Sequence, residues 1–285
     1  GTGFFGRAIA AEARRRGIHV RVVSRGRRPG RGAGVDRTAD VTRGETLNGT
    51  INAGDTVINL VGLSPLQRPR GGRRSYYRVH TQGTANVLRE AQRAGARRLI
   101  YVSALGVTRR CGAAYGETKA MAEERVRRAP IPSAIIAPSI LYGPGSEIVA
   151  MLGLLARLPL VPIPTLTAAF RPIHVRDAAR IAVDVAVGSG EADYIPLGGP
   201  ERLTAGEVAA TFLRARGTPM WSIPASLSRL LVGLVSRVKL PGAPADLAPM
   251  LAIDNAGSVP PEAERLTRYS HWVSQTDHRE VPPGG

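Results

Sequence analysis

Gly1-Thr2-Gly3-Phe4-Phe5-Gly6 opens the chain. The residues after it read as a helix from Arg7 to Arg16, with Ala8, Ile9, Ala10 and Ala13 on its inner side and Gly17 as its stop. A strand, His19 to Val23, comes next. A glycine turn feeding a helix N-terminus points backbone N–H groups at a pyrophosphate, and the absent side chains let the phosphates approach. Glycine turns are frequent, so the hexapeptide alone decides little. Followed by helix and strand at this spacing, it predicts a βαβ phosphate-binding unit, and so an α/β fold built on a doubly wound parallel sheet. The strand that should lead into the turn is missing from the sequence. In such a sheet that strand is central, and without it both neighbours expose an edge. The reading favours a chain trimmed at its N-terminal end over one in which another segment fills the gap.

After the second strand, a carboxylate would hold the 2′-hydroxyl of an adenine ribose. The chain instead has Ser24-Arg25-Gly26-Arg27-Arg28, with no acid before Asp36. A guanidinium fork suits a 2′-phosphate, so NADP(H) is the expected dinucleotide ahead of NAD(H). The competing reading is a solvated arginine loop. Gly26 to Gly34 reads as a flexible connection, and Asp40-Val41 would border the adenine ring. Asp55 to Leu60 is a short apolar run that fits a buried parallel strand. It leads to Val61-Gly62, where a small residue lets backbone pass close to the cofactor. A helix from about Tyr77 to Ala94 carries His80 and Asn86, Gly95 caps it, and Arg98 to Ser103 is the next buried strand.

Ala114-Tyr115-Gly116-Glu117-Thr118-Lys119 lies in a helical run that continues to about Arg128. Tyr115 and Lys119 are four apart and project from one helix face, one turn from each other. A phenol titrates near ~10, too high for acid–base work at neutral pH, and a neighbouring ammonium lowers it. The pair is therefore the candidate for exchanging a proton with a carbonyl or hydroxyl oxygen while a cofactor moves hydride.

The second half begins with a strand, Ser133 to Ala137, and the turn Tyr142-Gly143-Pro144-Gly145. An apolar helix from Glu147 to Leu158 and a proline-punctuated stretch follow. Arg171 to Asp177 introduces a helix to about Val187, Tyr194 to Leu197 is a strand, and Thr204-Ala205-Gly206-Glu207 is a capping box. Ser226 to Lys239 reads as a core helix with one wet face, or as a basic amphipathic helix with Arg229 and Arg237 toward a lipid surface or partner. From Asn255 onward the polar, proline-rich chain reads as a loose tail. The expected division is a dinucleotide-binding domain, residues 1–144 and 171–198, and a substrate lobe with tail, residues 145–170 and 199–285.

Composition narrows the partners. The 285 residues carry a net charge of +17, and every base except Lys119 and Lys239 is arginine or histidine. That lopsided choice reads as coding bias more than selection for a ligand. No zinc spacing, stacking platform or helix-turn-helix pattern accompanies the arginines, so no specific nucleic acid is expected. Cys111 is the single cysteine, which excludes an internal disulfide and a thiolate metal cluster and fits a reducing compartment. No metal is expected. The apolar stretch from Ile148 to Phe170 is interrupted by Arg157, Pro159, Pro162 and Pro164 and does not read as a membrane span. The expected location is cytoplasmic, with association at a membrane or complex left open by the basic segment.

Assembled, these runs resemble the extended and atypical short-chain dehydrogenases/reductases, the group of NAD-dependent epimerases and dehydratases. Within it the chain looks most like the branch containing the accessory NAD(P)-binding subunit of respiratory complex I. The carriers are the opening hexapeptide, Val57 to Gly62, His80 to Leu88, Leu99 to Gly106, Tyr115 to Lys119, Arg171 to Asp177, and Leu197-Gly198-Gly199-Pro200. The resemblance implies a Rossmann domain with a small C-terminal substrate lobe, and it puts Tyr115 and Lys119 at the acid/base and ribose-binding positions. It also implies a cofactor lined by Gly1, Thr2, Gly3, Phe4, Phe5 and Gly6, by Ser24, Arg25, Asp40 and Val41, and by Leu60, Val61, Gly62 and His80. Nicotinamide would lie near Ser103, with Pro138, Ser139 and Ile140 at its border. Two departures stand out. The family's motif has another glycine one position earlier than Gly1. Its catalytic serine or threonine falls on Ala104, leaving Ser103 one residue early, on the other side of the strand, with Thr108 as a substitute from the loop. The implied function is hydride transfer to or from a carbonyl or hydroxyl substrate; a cofactor-binding scaffold or assembly factor is the alternative.

Overall fold

The computed structural model describes residues 1–26, 35–66, 69–188, 193–224, 226–228, 253–256, 259 and 263–275. Phe4–Arg15 forms α1 and buries Phe5, Ile9, Ala10 and Ala13. Gly17 ends the helix at φ +73, returning its N–H to the Arg14 carbonyl, a left-handed stop that side chains disfavour. The strands β1 (Val23–Ser24) and β2 (Arg37–Thr38) pair in parallel. The expected strand from His19 is cut to its end: residues 19–22 form no ladder, and the Val22 N–H is taken by the Asp36 carboxylate at 2.7 Å.

Next come β3 (Thr56–Asn59), α2 (Gly72–Tyr76), a π-helical turn (Tyr77–Gln82), α3 (Gly83–Arg93), β4 (Arg98–Val102), α4 (Ala114–Arg127) and β5 (Ser133–Pro138). The second half holds β6 (Leu141–Tyr142), α5 (Glu147–Leu155), β7 (Val161–Pro164), β8 (Ala169–Phe170), β9 (Ile173–His174) and α6 (Val175–Val187). It closes with β10 (Tyr194–Leu197), β11 (Leu203–Thr204), α7 (Ala205–Arg214), β12 (Met220–Ile223) and α8 (Tyr269–Gln275).

The main sheet is all parallel, in the order β10-β5-β4-β3. The β1–β2 pair forms a separate two-stranded sheet. Strand alternation sorts the core into two layers. Ile100 and Val102 of β4 pack with Ala134 and Ile136 of β5 under α1 and α6, while Leu99, Tyr101 and Ile135 pack under α3 and α4. Every residue of β4 is buried, as helices on both faces of a parallel sheet require. This is the doubly wound arrangement, and its ligand face is the carboxyl end of the strands.

A smaller core gathers Tyr142, Val149, Leu152, Val208, Phe212, Tyr269 and Val273. Here the loose-tail reading is corrected. The α8 residue Tyr269 packs edge-on against Tyr142, ring centroids 5.0 Å apart, and donates its hydroxyl to the Val208 carbonyl. Asn255 is tied down as well, donating its N–H to the Ala169 carbonyl and its side-chain amide to the Leu105 carbonyl. A few well-placed apolar rings in a polar stretch anchor the chain, and composition averages them away. Arg27 and Arg28, and the residues 229–250 that hold Arg229 and Arg237 of the expected basic helix, lie outside the described residues.

Candidate active site

The three glycines of the opening turn differ in what surrounds them. A Cβ on Gly1 would sit 2.7 Å from Val22 Cγ1, and one on Gly6 would sit 2.4 Å from the Gly1 carbonyl oxygen. A Cβ on Gly3 would meet nothing within 4 Å. The turn is jammed on its inner side and bare on its outer one. Gly3 is the N-cap of α1, and no side chain caps that helix end; Arg7 braces the turn by donating to the Thr2 carbonyl at 3.0 Å. A bare helix N-terminus behind a glycine that leaves room for phosphate fits the pyrophosphate of a dinucleotide.

The residues expected on the adenine side lie beyond. Ser24 Oγ is 3.1 Å from Thr2 Oγ1, and Arg25 is exposed next to it. Burial would raise the Asp40 carboxyl, but hydrogen bonds from the Thr42 N–H and hydroxyl, with Arg25 and Arg43 nearby, hold it below the usual carboxylate range. Arg25 and Asp40 therefore face one region. Val41 is packed against Gly83, and its carbonyl accepts from Asn86 Nδ2 at 2.8 Å.

The catalytic candidates converge through the π-helical turn. The sequence predicts one regular helix from Tyr77; the wider turn re-aims its residues, a feature that recurs at functional sites. His80 becomes fully buried. Its Nε2 accepts the Leu63 N–H at 2.9 Å, so Nδ1 carries the proton and donates to Thr118 Oγ1, also at 2.9 Å. Thr118 passes its own proton to the Ala114 carbonyl, and the Thr81 hydroxyl donates to the Thr118 carbonyl. Burial, reinforced by Lys119, drives His80 well below its ordinary value, and the ring is neutral. These bonds clamp the first turn of α4 onto the π turn. Tyr115 is held there edge-on between His80 and Tyr76, at 5.5 and 6.1 Å.

Lys119 is buried beside it. Its Nζ donates to the Val102 carbonyl at 2.8 Å and lies 5.2 and 5.9 Å from the ring centres of Tyr101 and Tyr115. Burial lowers this lysine to about 8, with Glu123 opposing the shift. A Cβ on Gly62 would lie 3.5 Å from His80 Nε2 and 3.6 Å from Lys119 Nζ. The loop leaving β3 thus crosses both groups at its glycine. Leu60 and Val61 flank the crossing, half-buried against the two core layers.

One expectation is overturned. The Tyr115 phenol is raised, not lowered: burial is the main cause and the Glu147 carboxylate adds to it. Proximity in sequence says nothing of burial, and Lys119 aims its proton at the Val102 carbonyl. The Tyr115 phenol is therefore neutral in this state. Ser103 is also not free. Its hydroxyl donates to Glu123 Oε1, on the side away from Ala104 that alternation along the strand predicts, and it is engaged there. Thr108 is exposed in the following turn. Pro138, Ser139 and Ile140 do lie at the carboxyl edge of the sheet. The Pro138 carbonyl accepts the Leu105 N–H at 3.0 Å, Ser139 Oγ accepts the Arg171 N–H at 3.1 Å, and the Ile140 carbonyl accepts the Ile173 N–H at 2.9 Å.

Glu123 and Glu147 were not singled out as site residues in the sequence. Glu123, 5% exposed, pairs with Arg127 at 2.8 Å; its spacing of four from Lys119 is the signal that could have found it. Glu147 starts α5 and accepts the Ser64 hydroxyl, while the Tyr76 hydroxyl donates to the Ser64 carbonyl at 3.1 Å. It brings a carboxylate from the start of α5 within electrostatic reach of Tyr115, through a contact that no local pattern announces. Among the described residues, no three His, Cys, Asp or Glu side chains gather to hold a metal, and no helix is long and apolar enough to cross a membrane.

A glycine cradle, a tyrosine–lysine pair and a parallel sheet are now in place, and a model of the NAD-dependent epimerase/dehydratase family matches residues 1–191 of the chain. The chain belongs to that family. A curated relative, the ceramide reductase of Caulobacter vibrioides, is 31% identical over 184 residues, which cover 62% of this chain and 56% of the relative. The chain thus spans little more than half of that protein's length. Among solved structures, a nucleoside-diphosphate-sugar epimerase from Staphylococcus aureus superposes with a TM-score of 0.75 at 18% identity, over 96% of this chain and 97% of the other. A short-chain dehydrogenase/reductase superfamily protein from Agrobacterium tumefaciens, solved with bound NAD, gives 0.63 at 18% identity, over 78% and 82%. Likeness at that identity is likeness of fold. The family assignment supports a nicotinamide dinucleotide as cofactor and an oxidoreductase- or epimerase-type enzyme.

Proposed function

We propose that this family member catalyses hydride transfer between NADP(H) and a carbonyl or hydroxyl group, with Tyr115 as acid/base. The observation that carries the reading is the meeting of Lys119 and neutral His80 at the crossing of Gly62, with Tyr115 edge-on to His80 and beside Lys119. A bound nicotinamide dinucleotide supplies or takes the hydride. Tyr115 holds the exchangeable proton. In the reductive direction a neutral phenol is the required form, since the developing alkoxide takes a proton from it. Lys119 is the cation that steadies the phenolate left behind and holds ribose hydroxyls. Arg25 supports a 2′-phosphate, hence NADP(H) over NAD(H). The ceramide reductase relative supports a lipid-like ketone as substrate, and so does the apolar surface of Leu154, Leu158, Leu160 and Trp221 in the second half of the chain.

The test is stereospecific transfer of deuteride from labelled NADPH to a panel of long-chain and short ketones. The expected result is turnover that falls at least ~100-fold in Tyr115→Phe, with nucleotide affinity kept. Undiminished turnover in that variant refutes the role. One observation favours a second reading, a cofactor-binding scaffold: Ala104 offers no hydroxyl and that of Ser103 is engaged. Nucleotide binding without transfer to any ketone would select it.

A further inference from the structure

Tyr115, Lys119, Glu123 and Arg127 stand at intervals of four along α4, so one stripe of the helix carries a phenol, an ammonium, a carboxylate and a guanidinium in turn. A buried carboxylate needs partners, and Glu123 has two, the Ser103 hydroxyl at 2.5 Å and Arg127 at 2.8 Å. Lys119 is less well served. It has one hydrogen bond, to a backbone carbonyl, and among the described residues no carboxylate lies within ion-pair distance of it. The titratable groups around it are Tyr101 from β4, His80 from the π turn, and Tyr115 and Glu123 from α4. Burial keeps both phenols and the imidazole neutral. Of these four groups, Glu123 alone brings a charge opposite to that of Lys119.

We propose that Glu123 is a positioning residue for the reaction assigned above: it keeps Lys119 an ammonium beside Tyr115, and is itself fixed by Ser103 and Arg127. This role rests on that assignment and accounts for the Ser103 hydroxyl turned away from the substrate side. Glu123 touches neither substrate nor cofactor. Its influence passes through Lys119.

The composition of the chain makes the test direct. Lys119 and Lys239 are its only lysines, so a spectrum of the full chain with 13Cε-labelled lysine has two side-chain signals, and Lys239→Arg assigns them. Lys119 should titrate near about 8 in the parent protein. Glu123→Gln can keep both partners, its oxygen accepting from Arg127 and its amide N–H donating to the Ser103 hydroxyl, but removes the charge; the midpoint should drop by about one to three units. Arg127→Met keeps the carboxylate and removes a competing cation, so the midpoint should not drop. A merely structural ladder would shift both variants the same way. NADPH affinity, followed by fluorescence against pH, should fall at correspondingly lower pH in Glu123→Gln. An unchanged Lys119 midpoint in Glu123→Gln overturns the proposal. A midpoint that moves in a parent protein unable to bind NADPH or NADH at any pH overturns the hydride-transfer assignment and, with it, the role in the reaction, leaving only the charge pairing.

Discussion

Gly3 and Gly6 sit in the same turn, yet alanine at the two positions should do opposite things. At Gly3 an added Cβ meets nothing within 4 Å, and the backbone, at φ −69 and ψ 174, is one any residue adopts. Alanine is a poorer N-cap than glycine, by about 1 kcal/mol or less, and restricts the unfolded chain by a similar ~0.4–1 kcal/mol. The two offset, so Gly3→Ala should leave the urea midpoint within about 0.5 kcal/mol of the parent. The methyl would nonetheless occupy the approach of the pyrophosphate, and NADPH affinity should fall at least ~10-fold, about 1.4 kcal/mol. At Gly6 the Cβ would lie 2.4 Å from the Gly1 carbonyl oxygen and 2.9 Å from its carbon, atoms of backbone that cannot rotate away. Gly6→Ala should cost about 1–3 kcal/mol of stability and lose affinity as well. Urea melts and fluorescence titrations on the two variants separate the effects. If Gly3→Ala binds NADPH as well as the parent does, the phosphate does not sit on this turn and the cofactor placement is wrong.

Other expectations concern the groups around Tyr115. His80→Ala strands the Leu63 N–H, removes the donor to the Thr118 hydroxyl and empties a buried site, and should cost about 3 kcal/mol in urea melts. His80 is held neutral in the fold, so only the unfolded chain takes up its proton; stability should decline as pH drops below about 6.5, and His80→Ala should flatten that decline. Ser103→Ala should lower stability by about 1 kcal/mol while turnover stays within a few-fold; a catalytic serine would instead show a loss of ~100-fold or more. Arg25→Ala should weaken NADPH about tenfold relative to NADH, and equal weakening of both would return Arg25 to the status of a solvated loop residue.

The glycine turn, the buried strands and the Tyr115–Lys119 pair were legible because each rests on local spacing. Alternation even anticipated that Ser103 faces away from the Ala104 side. What escaped depends on the third dimension. A π-helical turn changes the helical repeat by one residue, and the apolar pattern from Tyr76 to Leu88 reads equally well as a plain helix. The phenol of Tyr115 shifts opposite to expectation because burial raises it and the Glu147 carboxylate adds to the rise. Glu147 reaches the site from another part of the chain, and Tyr269 and Asn255 anchor a stretch whose average composition is that of a tail.

The irregularity at Tyr77–Gln82 carries a constraint on how this chain can vary. Removing one residue from that stretch would restore uniform i→i−4 bonding, and by helix propensity alone the shorter protein should be the better helix. It would also rotate everything upstream relative to α3 by roughly 100°, unseating the imidazole from Leu63 and Thr118. Insertions and deletions are tolerated in loops; here a single codon lost from a helix would leave a tidier scaffold with its key side chain turned to the wrong wall.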